Sequence, residues 1–197
     1  DALILTRLTG MDAADSVKSL TAAMNTFGHQ VENSTQLVSK FAAVDVKFAV
    51  SAKDFAEAIA RAGQSAKSAG VDLDSFVGMV TAVQEKTARG GAVIGNAFKT
   101  IFTRTQRPAT LKAMEDLGVQ VRSLNGEVFS ADKILLNLSK RWDTLTTAQK
   151  ANVGQTTAGM FQINLLKAAL EDMSSSNSRW SQAMQISSAA TDESNKK

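Results

Sequence analysis

Hydrophobic residues recur every three or four positions along most of the chain, and short polar or glycine-containing segments separate these stretches. This spacing is typical of amphipathic helices, in which such residues share one face. Residue types that cap helices precede several of the stretches, at Asp12, Ser51, Asp72 and Ser130. The pattern predicts an all-α protein, a multi-helix module of about eight to ten helices.

Glycine and proline residues are expected to separate these helices. They stand at Gly28, Gly70, Gly90, Gly91, Pro108, Gly118 and Gly154. The helix that begins near Asp12 is expected to end at Gly28, with this glycine in the left-handed conformation. Gly154 is expected to separate a short helix, starting at Thr146 or Thr147, from a longer one that begins near Thr157.

Several of the predicted helices carry apolar faces. The widest lie in residues 73–83 and 94–102, and we expect Phe76, Val80, Ile101 and Phe102 to be mostly buried, against each other or against another copy. Further apolar faces are predicted from Val17 to Phe27 and from Phe161 to Met173. Between the helices, alternation around Val119 and Val121 and the Asn125-Gly126 pair predict one small β-hairpin near 119–129.

Breaks in composition predict three parts. Residues 1–50 form an N-terminal helical segment, 51–173 a core helical module and 174–197 a C-terminal helix or linker, which follows a run of three serines. Polarity rises toward Lys197, where we expect the chain to fray or continue. Because the chain starts with Asp1 rather than methionine, we expect it to be a piece of a longer protein.

Composition excludes several classes of protein. The 197 residues contain no cysteine, so disulfide frameworks and thiolate zinc sites are absent. The longest uncharged run, residues 151–166, is rich in Asn, Gln and Thr and is shorter than the ~20 apolar residues of a membrane-spanning helix. The only histidine is His29, and no residue pattern predicts a catalytic, cofactor-binding or metal site.

The charge is unevenly distributed. Six basic residues and no acidic residue lie between Lys86 and Met114, although the net charge of the whole chain is only +3. The candidate interaction surface joins basic residues of this segment to the wide apolar faces, and comprises Lys99, Arg104, Arg107, Phe76, Val80, Ile101 and Phe102. Three interpretations of the basic residues stay open: a solvated helix face, contact with DNA phosphates, or contact with an acidic protein partner.

Three segments together resemble the core region of phage tail tape-measure proteins: residues 65–73 (SAKSAGVDL), 94–102 (IGNAFKTIF) and 117–121 (LGVQV). The similarity extends from Leu8 to about Asp172. Two positions depart from the family pattern, since Val153 precedes Gly154 where phenylalanine is expected and the residue before Pro108 is not serine.

The resemblance implies a virion structural protein that lies in the interior of the phage tail, sets the length of the tail tube and leaves the tube with the DNA on infection. It implies assembly in the host cytoplasm with other copies of itself, three or six in a particle, and with tail tube proteins, tail tip proteins and tail assembly chaperones. DNA and membrane contacts during infection are compatible with it. The alternatives are a membrane-active helical module or conduit protein and, third, a fragment of a cell-wall hydrolase.

Overall fold

The computed structural model describes residues 2–194 and contains, within that range, ten α-helices and one short 3-10 helix, Gly28–Gln30. The α-helices are α1 (Ala2–Thr9), α2 (Ala13–Phe27), α3 (Ser34–Asp45), α4 (Ala52–Ser68), α5 (Leu73–Thr87), α6 (Gly91–Thr105), α7 (Pro108–Asp116), α8 (Ala131–Trp142), α9 (Thr147–Ser174) and α10 (Arg179–Ser194). The prediction of an all-α, multi-helix module is therefore confirmed. The expected fraying toward Lys197 concerns residues outside the described range.

Local capping explains where most helices begin. Asp12 accepts a hydrogen bond from the Asp15 N–H at 2.8 Å, and Asp72 accepts one from the Ser75 N–H at 2.7 Å. Pro108 occupies the first turn of α7, where a missing N–H costs nothing. Ser130 also precedes a helix as predicted, but its hydroxyl makes no cap hydrogen bond.

Helix α5 lies at the centre of the core. Every residue from Ser75 to Val83 is buried, because α4, α6, α9 and α10 all pack against it. A helix that is covered on all sides carries apolar residues around most of its circumference. The apolar surface of α5 is therefore wider than the single face that the sequence predicts. The ring centroid of Phe76 lies 6.0 Å from that of Phe27 and 6.2 Å from that of Phe102.

Helices α4 and α6 approach each other closely at two glycines. A Cβ atom on Gly91 would overlap the carbonyl oxygen of Asp54, and one on Gly95 would lie 2.8 Å from the Cα of Ala58. These neighbours are backbone atoms, which cannot move aside as a flexible side chain can. Small residues at this crossing therefore allow α6 to lie directly on the backbone of α4.

The final helix, α10, is joined to the rest of the core by buried polar contacts. Lys40 of α3 is 2% exposed, and its ammonium group donates to the carboxylate of Asp74 at 2.7 Å and to the carbonyl of Ser187 at 2.9 Å. Asp172, also buried, accepts from the N–H of Trp180 in the first turn of α10. A buried charge is stable only with such partners. One hydrophobic core extends from Leu5 to Ala183, while the three-part division of the chain stays a prediction.

The predicted β-hairpin near 119–129 is much reduced. In the described residues this segment contains one isolated antiparallel bridge, between Arg122 and Val128, and no strand. The N–H of Ser123 donates to the carbonyl of Glu127 at 2.8 Å around the Asn125-Gly126 turn. The turn signal is therefore correct, but an isolated pair of short segments is too small to form an extended ladder.

Helix α9 corrects the predicted break at Gly154. Gly154 is helical and buried, and the break lies instead at Gly159, which has φ 74° and ψ 174°, a conformation nearly restricted to glycine. The bend brings Ile163 over Gly154, so that a Cβ on Gly154 would lie 2.9 Å from the Ile163 Cδ1. In a straight helix these two residues would be separated by about 13 Å along the axis.

Helix α2 differs from prediction in two respects. Gly28 has φ −59°, a right-handed conformation, because the chain continues from α2 into the 3-10 helix instead of stopping. Val17 is 50% exposed although its spacing places it with the apolar face. Within residues 2–194, no helix is both long and apolar enough to cross a bilayer.

Candidate interaction surface

The structure divides the predicted interaction surface into two groups. Phe76, Val80, Ile101 and Phe102 are each 0% exposed and lie in the core of the single chain. They are buried as predicted, because α5 and α6 use these apolar faces to pack inside the protein, and their part in an interaction surface stays a prediction. The basic residues Lys99, Arg104 and Arg107 remain at the surface.

These three basic residues line one groove. We call this the basic groove; it has a volume of about 390 Å³ and is lined by Asn96, Lys99, Thr100, Thr103, Arg104, Arg107 and Gln162. All but Gln162 come from α6 or the turn after it, at the spacing of a single helical face. Gln162 comes from α9, so the groove exists only because α6 and α9 pack together.

Arg104 has a structural role within the groove. Its guanidinium group donates to the carbonyl of Gln155 at 3.3 Å, in the last turn of α9 before the bend. A Cβ on Gly159 would lie 3.4 Å from the same guanidinium group. Arg104 therefore stabilises the end of the first half of α9, where a cation is favourable to the helix dipole, and packs against the bend itself.

A second stretch without acidic residues lies in the helix that packs against α6. Helix α6 contains no acidic residue, and neither do residues 147–170 of α9, which contain Lys150 and Lys167. The second segment is distant from the first along the chain. A search for long stretches without Asp or Glu would have found it, but only the packing of α6 on α9 shows that the two belong together.

Two large apolar side chains are exposed beside the basic groove. Phe161 is 89% exposed and Met160 is 70% exposed, and the two residues lie in sequence between Gly159 and the groove residue Gln162. The sequence predicts Phe161 on a buried face, and this is wrong. The bend at Gly159 resets the helical phase, so the buried face of the second half begins at Leu165.

Acidic side chains cluster at the N-terminal end of α5. Burial raises the pKa of the Asp72 carboxyl above its ordinary value, and the nearby carboxylates of Asp132 and Asp74 raise it further. The Ser75 hydroxyl links this cluster to the core, since it donates to Asp132 at 2.7 Å and accepts from the indole N–H of Trp180 at 3.2 Å. Among the side chains that the structure describes, those of residues 2–190, no group of three or more His, Asp or Glu residues is arranged to hold a metal ion.

Sequence comparison identifies the family. The model of the family described as phage-related minor tail protein matches residues 1–159 of this chain. The chain belongs to that family. This minor tail protein therefore has a structural role in the phage tail, and its partners are other tail proteins. No solved structure matches it.

The family match ends at the bend in α9. The second half of α9 and the whole of α10 follow residue 159, yet both contribute to the core of this minor tail protein. Met160 and Phe161 are the first two residues beyond the match. The exposed apolar pair thus lies where the matched region meets the additional helices.

Proposed function

We propose that this minor tail protein is a folded module of a tape-measure protein, and that the length-setting part lies in flanking sequence. The family membership and the three resembling segments support the tape-measure assignment. The observation that carries the modular role is that the ten α-helices within residues 2–194 pack around one core. In this proposal the module lies in the tail interior, is assembled in the host cytoplasm in three or six copies with tube, tip and chaperone proteins, and leaves with the DNA.

Geometry distinguishes a folded module from the length-setting part of a tape-measure protein. One continuous helix of this chain would extend ~300 Å at ~1.5 Å per residue, whereas a compact chain of this size has a radius of gyration of about 16 Å. Each residue of an extended helix adds length, but residues inserted into a surface turn of a folded module do not. The module therefore contributes folded surfaces to assembly and contributes little to tail length.

Matched insertions test this function. An insertion of about 20 residues at the exposed Leu124 turn should leave tail length unchanged, while the same insertion in a flanking helical region should lengthen tails by about 30 Å. Deleting residues 70–126 should stop assembly or give malformed tails, because the deletion removes α5 and α6. Tails that lengthen equally after both insertions, or that shorten by about 85 Å after the deletion, would show that the module belongs to the length-setting part.

The burial of the apolar faces argues against the membrane-active alternative. It requires the apolar faces of residues 76–83 and 94–102 to contact lipid, and those faces are buried within the chain. Only an unfolded or rearranged module could present them. Leakage of liposome contents by the folded protein would support that alternative.

A further inference from the structure

We propose that the basic groove and the adjoining pair Met160 and Phe161 form a docking surface for an acidic tail protein that has an apolar pocket. The proposal requires only that the chain is a tail component and does not depend on the tape-measure assignment. Its two parts act together. Phe161 enters the partner's pocket, and the cations of the groove pair with carboxylates around that pocket.

The apolar part is the exposed pair at the bend. Met160 and Phe161 are neighbours in sequence, and both project from a backbone that Gly159 and Arg104 hold in place. A fixed backbone lowers the entropy that is lost when such side chains are immobilised on binding. Aromatic residues, methionine and arginine are also the types enriched at protein interfaces, so this composition favours a protein partner.

The charged part supplies cations without internal partners. Lys86 and Lys112, at the ends of the basic segment, are paired with Glu171 and Asp116. By contrast, among residues 2–190, whose side chains the structure describes, neither Lys99 nor Arg107 has a carboxylate oxygen within 4.0 Å. Acidic groups of a partner would therefore meet these two cations without breaking an existing ion pair.

The same observations disfavour nucleic acid. Proteins that bind a duplex mainly through charge neutralise roughly 6–10 phosphates, whereas the groove provides three cations, one of which is engaged at the α9 bend. Single-stranded nucleic acid is held by successive aromatic rings, and Phe161 is one ring. Since the charge and aromatic content both fall short of these requirements, an acidic protein surface fits the groove better.

Photo-crosslinking in assembled tails tests the docking directly. A photoreactive residue replaces Phe161 in the full-length protein, and the matched control carries it at Val46, an equally exposed apolar position. We expect position 161, and not position 46, to crosslink to one segment of another tail protein in which carboxylates flank apolar residues. Crosslinks from position 161 to DNA, to another copy of this chain, or to no tail protein would overturn the proposal.

Affinity for the crosslinked protein provides the quantitative test. Phe161→Ala should weaken binding by about 10- to 100-fold, while Leu124→Ala, at another exposed apolar residue, should not weaken it. The double change Lys99→Glu and Arg107→Glu should weaken binding at least about tenfold, and a charge reversal on the partner should restore it. Arg104 is left unchanged because it supports the bend.

The charge control is Lys47→Glu with Lys140→Glu, which alters the net charge equally at exposed positions outside the groove. All variants should keep the melting temperature of the parent, so that lost binding is not lost folding. Equal weakening by both double variants would mean that net charge alone is sensed, and would contradict a specific docking surface. Tight, salt-dependent binding of a DNA duplex that is abolished by the groove variant would replace the protein partner with nucleic acid.

Discussion

The carboxylate of Asp54 in α4 accepts a hydrogen bond from the N–H of Gly91, the first residue of α6, at 2.8 Å. The other oxygen of the same carboxylate accepts from the N–H of Ser51 at 2.9 Å and completes the capping box of α4. One side chain therefore satisfies backbone donors at the start of two helices. Since α6 carries five of the residues that line the basic groove, Asp54 also fixes the position of that groove relative to α4.

Replacing Asp54 should cost more than replacing an ordinary cap. Asp54→Ala leaves donors of two helices without their acceptor, so we expect a loss of about 2–3 kcal/mol in the free energy of unfolding. Asp12→Ala, at the exposed cap of α2, should cost about 1 kcal/mol. Urea titration of both variants measures the difference, and equal losses would contradict the double role of Asp54.

A side chain at Gly91 should separate α4 from α6. Because its Cβ would meet the backbone of Asp54, we expect Gly91→Ala to lower the free energy of unfolding by at least about 3 kcal/mol. The control is Gly28→Ala, where the φ angle is ordinary and the nearest atom is the flexible end of Met24 at 3.4 Å. Thermal unfolding of the two variants should differ clearly, and a Gly91 variant as stable as the Gly28 variant would refute the close contact.

Replacement by alanine should destabilise the protein strongly at Phe102 and hardly at all at Phe161. Phe102→Ala removes a ring that is fully buried against Phe76 and Phe98, so it should cost ~3–5 kcal/mol. Phe161→Ala removes an exposed ring and should change the free energy of unfolding by less than about 0.5 kcal/mol. Denaturant titration decides, and a loss below about 1 kcal/mol at Phe102 would count against its burial.

The raised pKa of Asp72 predicts a specific pH dependence. The folded protein binds this proton more tightly than the unfolded chain, so the stability it contributes is present at low pH and is lost as the pH rises through the folded pKa. Asp72→Asn keeps an acceptor for the Ser75 N–H without a charge near Asp132. At neutral pH the variant should be more stable than the parent, by less than about 1 kcal/mol because the side chain is partly exposed.

Unfolding measured across pH tests this prediction. The gap between the Asp72→Asn variant and the parent should close below the ordinary pKa of 3.8. Asp12→Asn controls for exchanging a capping aspartate in general. A gap at Asp72 that is constant with pH, or a less stable variant at neutral pH, would contradict the assigned cause.

Most of the fold is determined by interactions that are local in sequence. The sequence predicts helix starts at Asp12, Ser51 and Asp72 and the structure confirms them, because a cap needs only the residues within the next turn. The burial of Phe76 and Phe102 follows from helical periodicity, which also depends on neighbouring residues alone. The basic residues of the groove were likewise visible as a segment without acidic side chains.

The parts that the sequence did not reveal depend on contacts between distant segments. The sequence predicts a break in α9 at Gly154, whereas packing places it at Gly159: Gly154 lies under Ile163, while Gly159 bends beside Arg104 of α6. That choice resets the helical phase and exposes Phe161. The sequence by itself thus determined which segments are helices and which residues are apolar enough to bury. Only the tertiary structure decided where α9 bends and which residues border the groove, because those outcomes depend on contacts that helical periodicity does not encode.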